Sequence, residues 1–165
     1  VDTSQATAES ASLDPAEGQQ FQTGDHFYIA LAPKEEDSLK HTLFHEFSHL
    51  IDNRVLTKTG AYDNWNDLNP QDFAYSLDLN ADMTPYKALL TGPDRVFIDN
   101  YAMTFPAEDR ARIFECACTP GNEEDFASPI LQAKLQRICT GIRQAFVLEN
   151  VPERFLWEQY LTLTQ

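Results

Sequence analysis

Basic residues are scarce in this chain: 12 Lys and Arg stand against 26 Asp and Glu, a formal net charge of −14. A surface so short of cations cannot neutralise phosphates, which excludes nucleic acid and anionic membranes as partners. Cysteine is sparse as well. Cys116, Cys118 and Cys139 are an odd set with no C-x-x-C pair, so neither a cysteine-paired zinc site nor a dense disulfide framework is signalled. Their spacing leaves open a bridge from Cys116 or Cys118 to Cys139. No apolar run reaches the roughly 18 residues of a membrane span, and the first residues lack the charged-then-apolar order of a signal peptide.

The 165 residues present are enough for one domain with a real core. Residues 1–20 are Ser, Ala, Gln, Thr and acids with little to bury, and read as a disordered or linker lead-in to a domain over 21–165. A chain that begins at Val1 is expected to derive from a longer precursor. Residues 26–31 (HFYIAL) are aromatic and β-rich, so a strand is expected there. Residues 57–69 are turn-forming around Trp65, and Asn69-Pro70 opens a short helix through Tyr75. Residues 77–95 look irregular, and their acids (Asp78, Asp82) do not match a calcium-binding EF-hand loop. Helices are expected from Thr104 to Glu115, from the Ser128-Pro129 cap to about Leu148, and from Pro152 through Leu161. Ile130, Leu131, Leu135, Ile138, Ile142, Ala145 and Phe146 form the inner face of the second, where Cys139 also packs. The fold class is α+β, predominantly helical, with a small sheet near the N-terminus.

Most informative is His45-Glu46-Phe47-Ser48-His49, an H-E-x-x-H pattern. On a helix, positions i and i+4 share a face, so two imidazoles converge on one ion while the Glu beside them reaches water at the same place. Phe44, Phe47, Leu50 and Ile51 recur at helical spacing around the motif and argue for a buried helix. Asp37 or Ser38 would cap its start, and residues 57–60 close it. His41 precedes His45 by one turn. Three histidines in file enclose a tetrahedral ion poorly, so His41 is expected to be a partly exposed neighbour. Asp52, three residues after His49, would orient a ligand histidine or pair with Arg54.

A catalytic zinc takes three protein ligands. The extended pattern with Gly at 52 and His at 55 is absent, since Asp52 and Val55 stand there. The third ligand must come from farther along the chain, and Glu108, Glu115 and Asp109 are the candidates. Tyr101-Ala102-Met103-Thr104 followed by Pro106-Ala107-Glu108-Asp109 resembles the Y-A-x-T-x-P-x-E-D segment of the glutamate-zincin metallopeptidases, the group that includes the anthrax lethal factor catalytic domain and bacterial zinc metallopeptidases similar to it. The resemblance covers 45–52 and 101–109, their order and their separation. It implies a zincin-like metallopeptidase fold, Glu108 as third ligand of one Zn2+ per chain, and Tyr101 facing the metal as an oxyanion donor. It also implies that an edge strand beside the motif helix pairs with extended substrate. One departure stands out: the segment commonly continues E-D-F-A-E, whereas Arg112 here occupies the place of that supporting acid.

The function expected is a zinc-dependent endopeptidase with His45, His49 and Glu108 on the metal, Glu46 as general base and Tyr101 as oxyanion donor. Its partner is a peptide or protein substrate, and so compact a peptidase is expected to have either a shallow cleft or one completed by an additional domain or partner. The polar lead-in and the family's habits lean towards a secreted or bacterial cell-surface protein. Two rivals are a catalytically inactive zincin-fold binding module with a structural or vestigial metal, and a zinc-free helical interaction domain.

Overall fold

The computed structural model describes residues 17–161 except 25, 34, 77–83, 148 and 150. A two-stranded antiparallel sheet, β1 (Gly18–Thr23) and β2 (His26–Leu31), leads into a long helix α1 (Glu36–Lys58). Helices α2 (Pro106–Cys118) and α3 (Pro129–Ala145) follow, with 3-10 segments at Trp65–Leu68, Thr84–Leu90, Tyr101–Met103, Asp125–Ala127 and Leu156–Glu158. The architecture is α+β and predominantly helical, as the sequence implies. Strand β1 was not expected; it draws Gly18, Gln19 and Gln20 out of the presumed lead-in, and Phe21 stacks on Tyr28 across the pair at 5.2 Å.

The hairpin leans on one side of α1, and α2 and α3 pack on the other. Ile51 and Val55 of α1 enter a core with Ile113, Phe114 and Ala117 of α2 and with Leu131, Leu135, Ile138 and Ile142 of α3. Val96, Phe97, Ala102 and Met103 form a second cluster beneath Phe73 and Tyr86. Gly141 sits where α3 crosses α1: a Cβ there would stand 2.7 Å from Val55 Cγ1, so the crossing distance requires glycine. Phe47, expected to be interior, is exposed on the outer flank of α1 and touches only the edge of the core at Phe114.

Several boundaries depart from the sequence reading, each for a local reason. Helix α1 begins at Glu36 with Glu35 as its cap residue and no side-chain cap bond, so neither Asp37 nor Ser38 caps it; the acids of its first turn favour the amide end instead. Phe105 is extended, as a residue before proline prefers, so α2 starts at Pro106 rather than Thr104 and runs on to Cys118. The expected helix from Asn69 to Tyr75 is a turn followed by irregular chain. Phe73 is pulled against Phe97 (4.5 Å between centroids) while the Tyr75 hydroxyl bonds Asp109, and a non-helical backbone serves both.

Ser128 caps α3 as expected, its Oγ accepting from the amides of Ile130 and Leu131 at 3.2 and 3.4 Å. The helix ends at Ala145; Leu148 lies outside the described residues. After Pro152 the described residues form only the turn Leu156–Glu158. Arg154 donates to the carbonyls of Glu158, Gln159 and Leu161, and the Glu158 carboxylate accepts the Phe155 amide, so side chains replace the helical ladder. Cys116, Cys118 and Cys139 are buried free thiols, with no bridge to Cys139. Burial pushes each of them up to about 12, away from thiolate chemistry. Asp78 and Asp82 lie outside the described residues.

Candidate metal centre

His45 and His49 project from one face of α1 towards Glu108 in the first turn of α2. His45 Nε2 is 3.2 Å from His49 Nε2, and Glu108 Oε2 lies 3.0 and 3.6 Å from them. Tetrahedral ligands held at about 2.0–2.1 Å from one zinc stand about 3.3–3.4 Å apart, so the three atoms have the spacing of a tetrahedral face. Glu108 Oε2 is buried, and the two imidazole nitrogens are the groups that face it. Three lone-pair atoms this close repel one another unless a cation lies among them. These three residues are the cluster of possible metal ligands among the described residues.

In the metal-free protein a proton supplies that positive charge. Burial works to lower the pKa of His45, but the carboxylates of Glu108 and Glu115 override it and raise the imidazole to about 9. Burial likewise works to raise Glu108, and the two histidines pull it down to about 2. The donor set of two imidazoles and one carboxylate suits zinc.

The rival third ligands point elsewhere. Asp109 is fully buried on the far side of α2, where its Oδ2 accepts from Trp65 Nε1 (3.0 Å), Tyr75 Oη (2.7 Å) and Lys134 Nζ (2.7 Å). Glu115 approaches His45 from behind: its Oε2 is 3.3 Å from Nδ1, the nitrogen turned away from Glu108. Its Oε1 accepts from His41 Nδ1 at 2.8 Å, and His41 is about half exposed, as the sequence suggested. Arg112 also binds Glu115 and reaches Asp99 Oδ2 through Nε at 2.8 Å.

Asp52 does something the sequence did not signal. Its carboxylate forms a buried pair with Arg110, Nε and Nη2 both at 2.7 Å from Oδ2, while Arg54 donates to the Ala145 carbonyl. Arg110 lies over the Tyr62 ring at 4.5 Å. The pair thus braces α1, three residues past His49, to α2, two residues past Glu108. A separation of 58 residues left no trace in local pattern.

Glu46, Tyr101 and His45 line an open cavity of about 580 Å³ shared with Asp99, Arg112 and Glu115. The Tyr101 ring centroid is 5.9 Å from that of His45. Burial and the neighbouring Glu108 charge push the phenol up to about 12, which keeps it a donor at neutral pH. The start of β1 presses on Glu46: a Cβ on Gly18 would be 2.8 Å from Glu46 Cγ and 2.6 Å from Thr42 Cγ2. Comparison with protein-family models, curated proteins and solved structures finds nothing that matches this chain.

Proposed function

We propose that this domain is a zinc-dependent endopeptidase of glutamate-zincin type. The observation that carries the reading is the convergence of His45 Nε2, His49 Nε2 and Glu108 Oε2 at 3.0–3.6 Å, with Glu46 at their edge in an open cavity. These residues fit the ion by type, number and spacing. Zinc held there supplies Lewis acidity towards the scissile carbonyl and towards water. Glu46 takes the proton of the attacking water and returns it to the leaving amine. Tyr101, held protonated, donates its hydroxyl hydrogen to the oxyanion that develops on the carbonyl. A peptide bond opens to an acid and an amine, with the water consumed and Glu46 restored.

The zincin fold, the secreted or cell-surface setting and the pairing of extended substrate with the hairpin edge belong to this same proposal. Glu46→Gln tests it. The variant is expected to keep one zinc per chain and to lose at least about a hundredfold in turnover, the scale of general-base catalysis. New amino termini in an unfolded protein substrate, counted by mass spectrometry, provide the readout. A fully active Glu46→Gln protein sinks the mechanism. A zinc-loaded wild type that cleaves nothing leaves the inactive binding module as the reading.

A further inference from the structure

We propose that Glu115, clamped by Arg112, positions His45 for metal binding by holding its Nδ1–H, so that the Nε2 lone pair faces His49 and Glu108. This rests on the zinc reading above and names what supports its first ligand.

An imidazole that binds a metal through one nitrogen is usually fixed by a partner on the other. By resemblance that partner would be an acid at position 112, and Arg112 stands there instead. Asp52, the other acid near the motif, has its carboxylate engaged by Arg110. Positions 108, 112 and 115 recur on one face of α2 at i, i+4 and i+7, so an acid at 115 looks along the same face one turn later.

The geometry agrees. The Glu115 side chain is only 3 % exposed, yet it is surrounded by His41 Nδ1 at 2.8 Å, His45 Nδ1 at 3.3 Å and the Arg112 guanidinium. An ionised carboxylate has lone pairs and no proton to give, so each imidazole must turn an N–H towards it. A neutral His45 with its proton on Nδ1 carries its lone pair on Nε2, the atom 3.0 Å from Glu108 Oε2.

Arg112 makes the arrangement affordable: a carboxylate this buried needs a permanent cation beside it. The same guanidinium holds Asp99 Oδ2, whose other oxygen accepts the Ala102 amide at 3.0 Å, next to Tyr101. Arg112 thereby links the support of His45 to the turn that carries Tyr101. The arginine that looks like a loss of the supporting acid belongs to a relocated version of it.

Zinc affinity of the metal-free protein, measured by competition with a chromophoric chelator, is the test. Glu115→Gln keeps size and folding but loses the charge, and is expected to bind zinc about 10–100-fold more weakly. Its circular dichroism should match that of the wild type, while its metal-free melting temperature falls because Arg112 loses a buried charged partner. Affinity within about twofold of wild type overturns the inference while leaving the zinc reading intact. A wild type that takes up no zinc overturns both. Should Glu115→Gln not fold, ¹⁵N spectra of the zinc-loaded wild type decide. Zinc on Nε2 with the His45 Nδ1 proton shifted downfield and slow to exchange, as in a strong hydrogen bond to a carboxylate, supports the inference, and zinc on Nδ1 or a freely exchanging Nδ1 proton overturns it.

Discussion

At the residue scale the site is a problem of charge and contact. Two imidazole nitrogens and a carboxylate oxygen are pressed together in a setting where each resists losing its counter-charge, and the shifts of His45 and Glu108 measure that pressure. Gly18 is the least obvious participant. Its missing Cβ lets β1 lie on Thr42 and Glu46, so backbone walls one side of Glu46. Gly18→Ala is expected to push the Glu46 carboxylate out of line and to cut kcat about tenfold or more, as misplacement of a catalytic group does. Zinc content should be unchanged. Equal kcat would mean that the strand yields and Glu46 does not.

Two buried charge pairs connect the helices at the scale of elements. Asp52–Arg110 joins α1 to α2, and Asp109–Lys134 joins α2 to α3, with Lys134 also bonding the Val96 carbonyl at 2.9 Å. The first turn of α2 therefore has Glu108 towards His45 and His49 while Asp109 and Arg110 anchor it on other sides. Burial pushes Asp109 up and Lys134 down, both towards neutrality, and the contacts of Trp65, Tyr75 and the Phe97 ring (4.0 Å from Nζ) oppose that drift. Lys134→Met leaves a buried carboxylate without its cation and is expected to cost about 3–5 kcal/mol in urea unfolding. Adding Asp109→Asn should restore part of the loss, because the uncompensated charge goes with it. A Lys134→Met protein as stable as wild type would show that the pair is neutral in the folded state.

For the whole molecule, the proposed ligand atoms of His45, His49 and Glu108 join α1 to α2, so zinc held there would link metal binding to folding. Zinc at a thousandfold over its Kd is expected to add about 4 kcal/mol to the unfolding free energy, and chelator to lower the melting temperature accordingly. His45→Ala and Glu108→Ala should melt at one temperature with or without chelator. If Glu108→Ala still shows the chelator effect, the third ligand lies elsewhere. The excess of acid over base leaves the surface negative, and no helix among the described residues is long and apolar enough to cross a membrane.

The sequence alone determined what is local. The spacing of His45, Glu46 and His49 sets one face of a helix, Ser128-Pro129 sets the start of α3, and the aromatic, β-rich composition of residues 26–31 sets a strand, because each depends on neighbours within a turn or two. A Tyr–Thr–Pro–Glu segment 59 residues beyond His49 pointed to Glu108 by resemblance, and the geometry brings that residue to the two histidines. Tertiary structure decided the rest. That Glu115 stands behind His45, that Asp52 takes Arg110 rather than Arg54 or a histidine, and that Gly18 covers Glu46 follow from how α1, α2 and the hairpin pack. The segments at 69–75 and 152–161 gave up helix for side-chain bonds to distant partners, which no local propensity encodes. A carboxylate's role depends on which donor packing brings to it, and packing is a property of the whole chain.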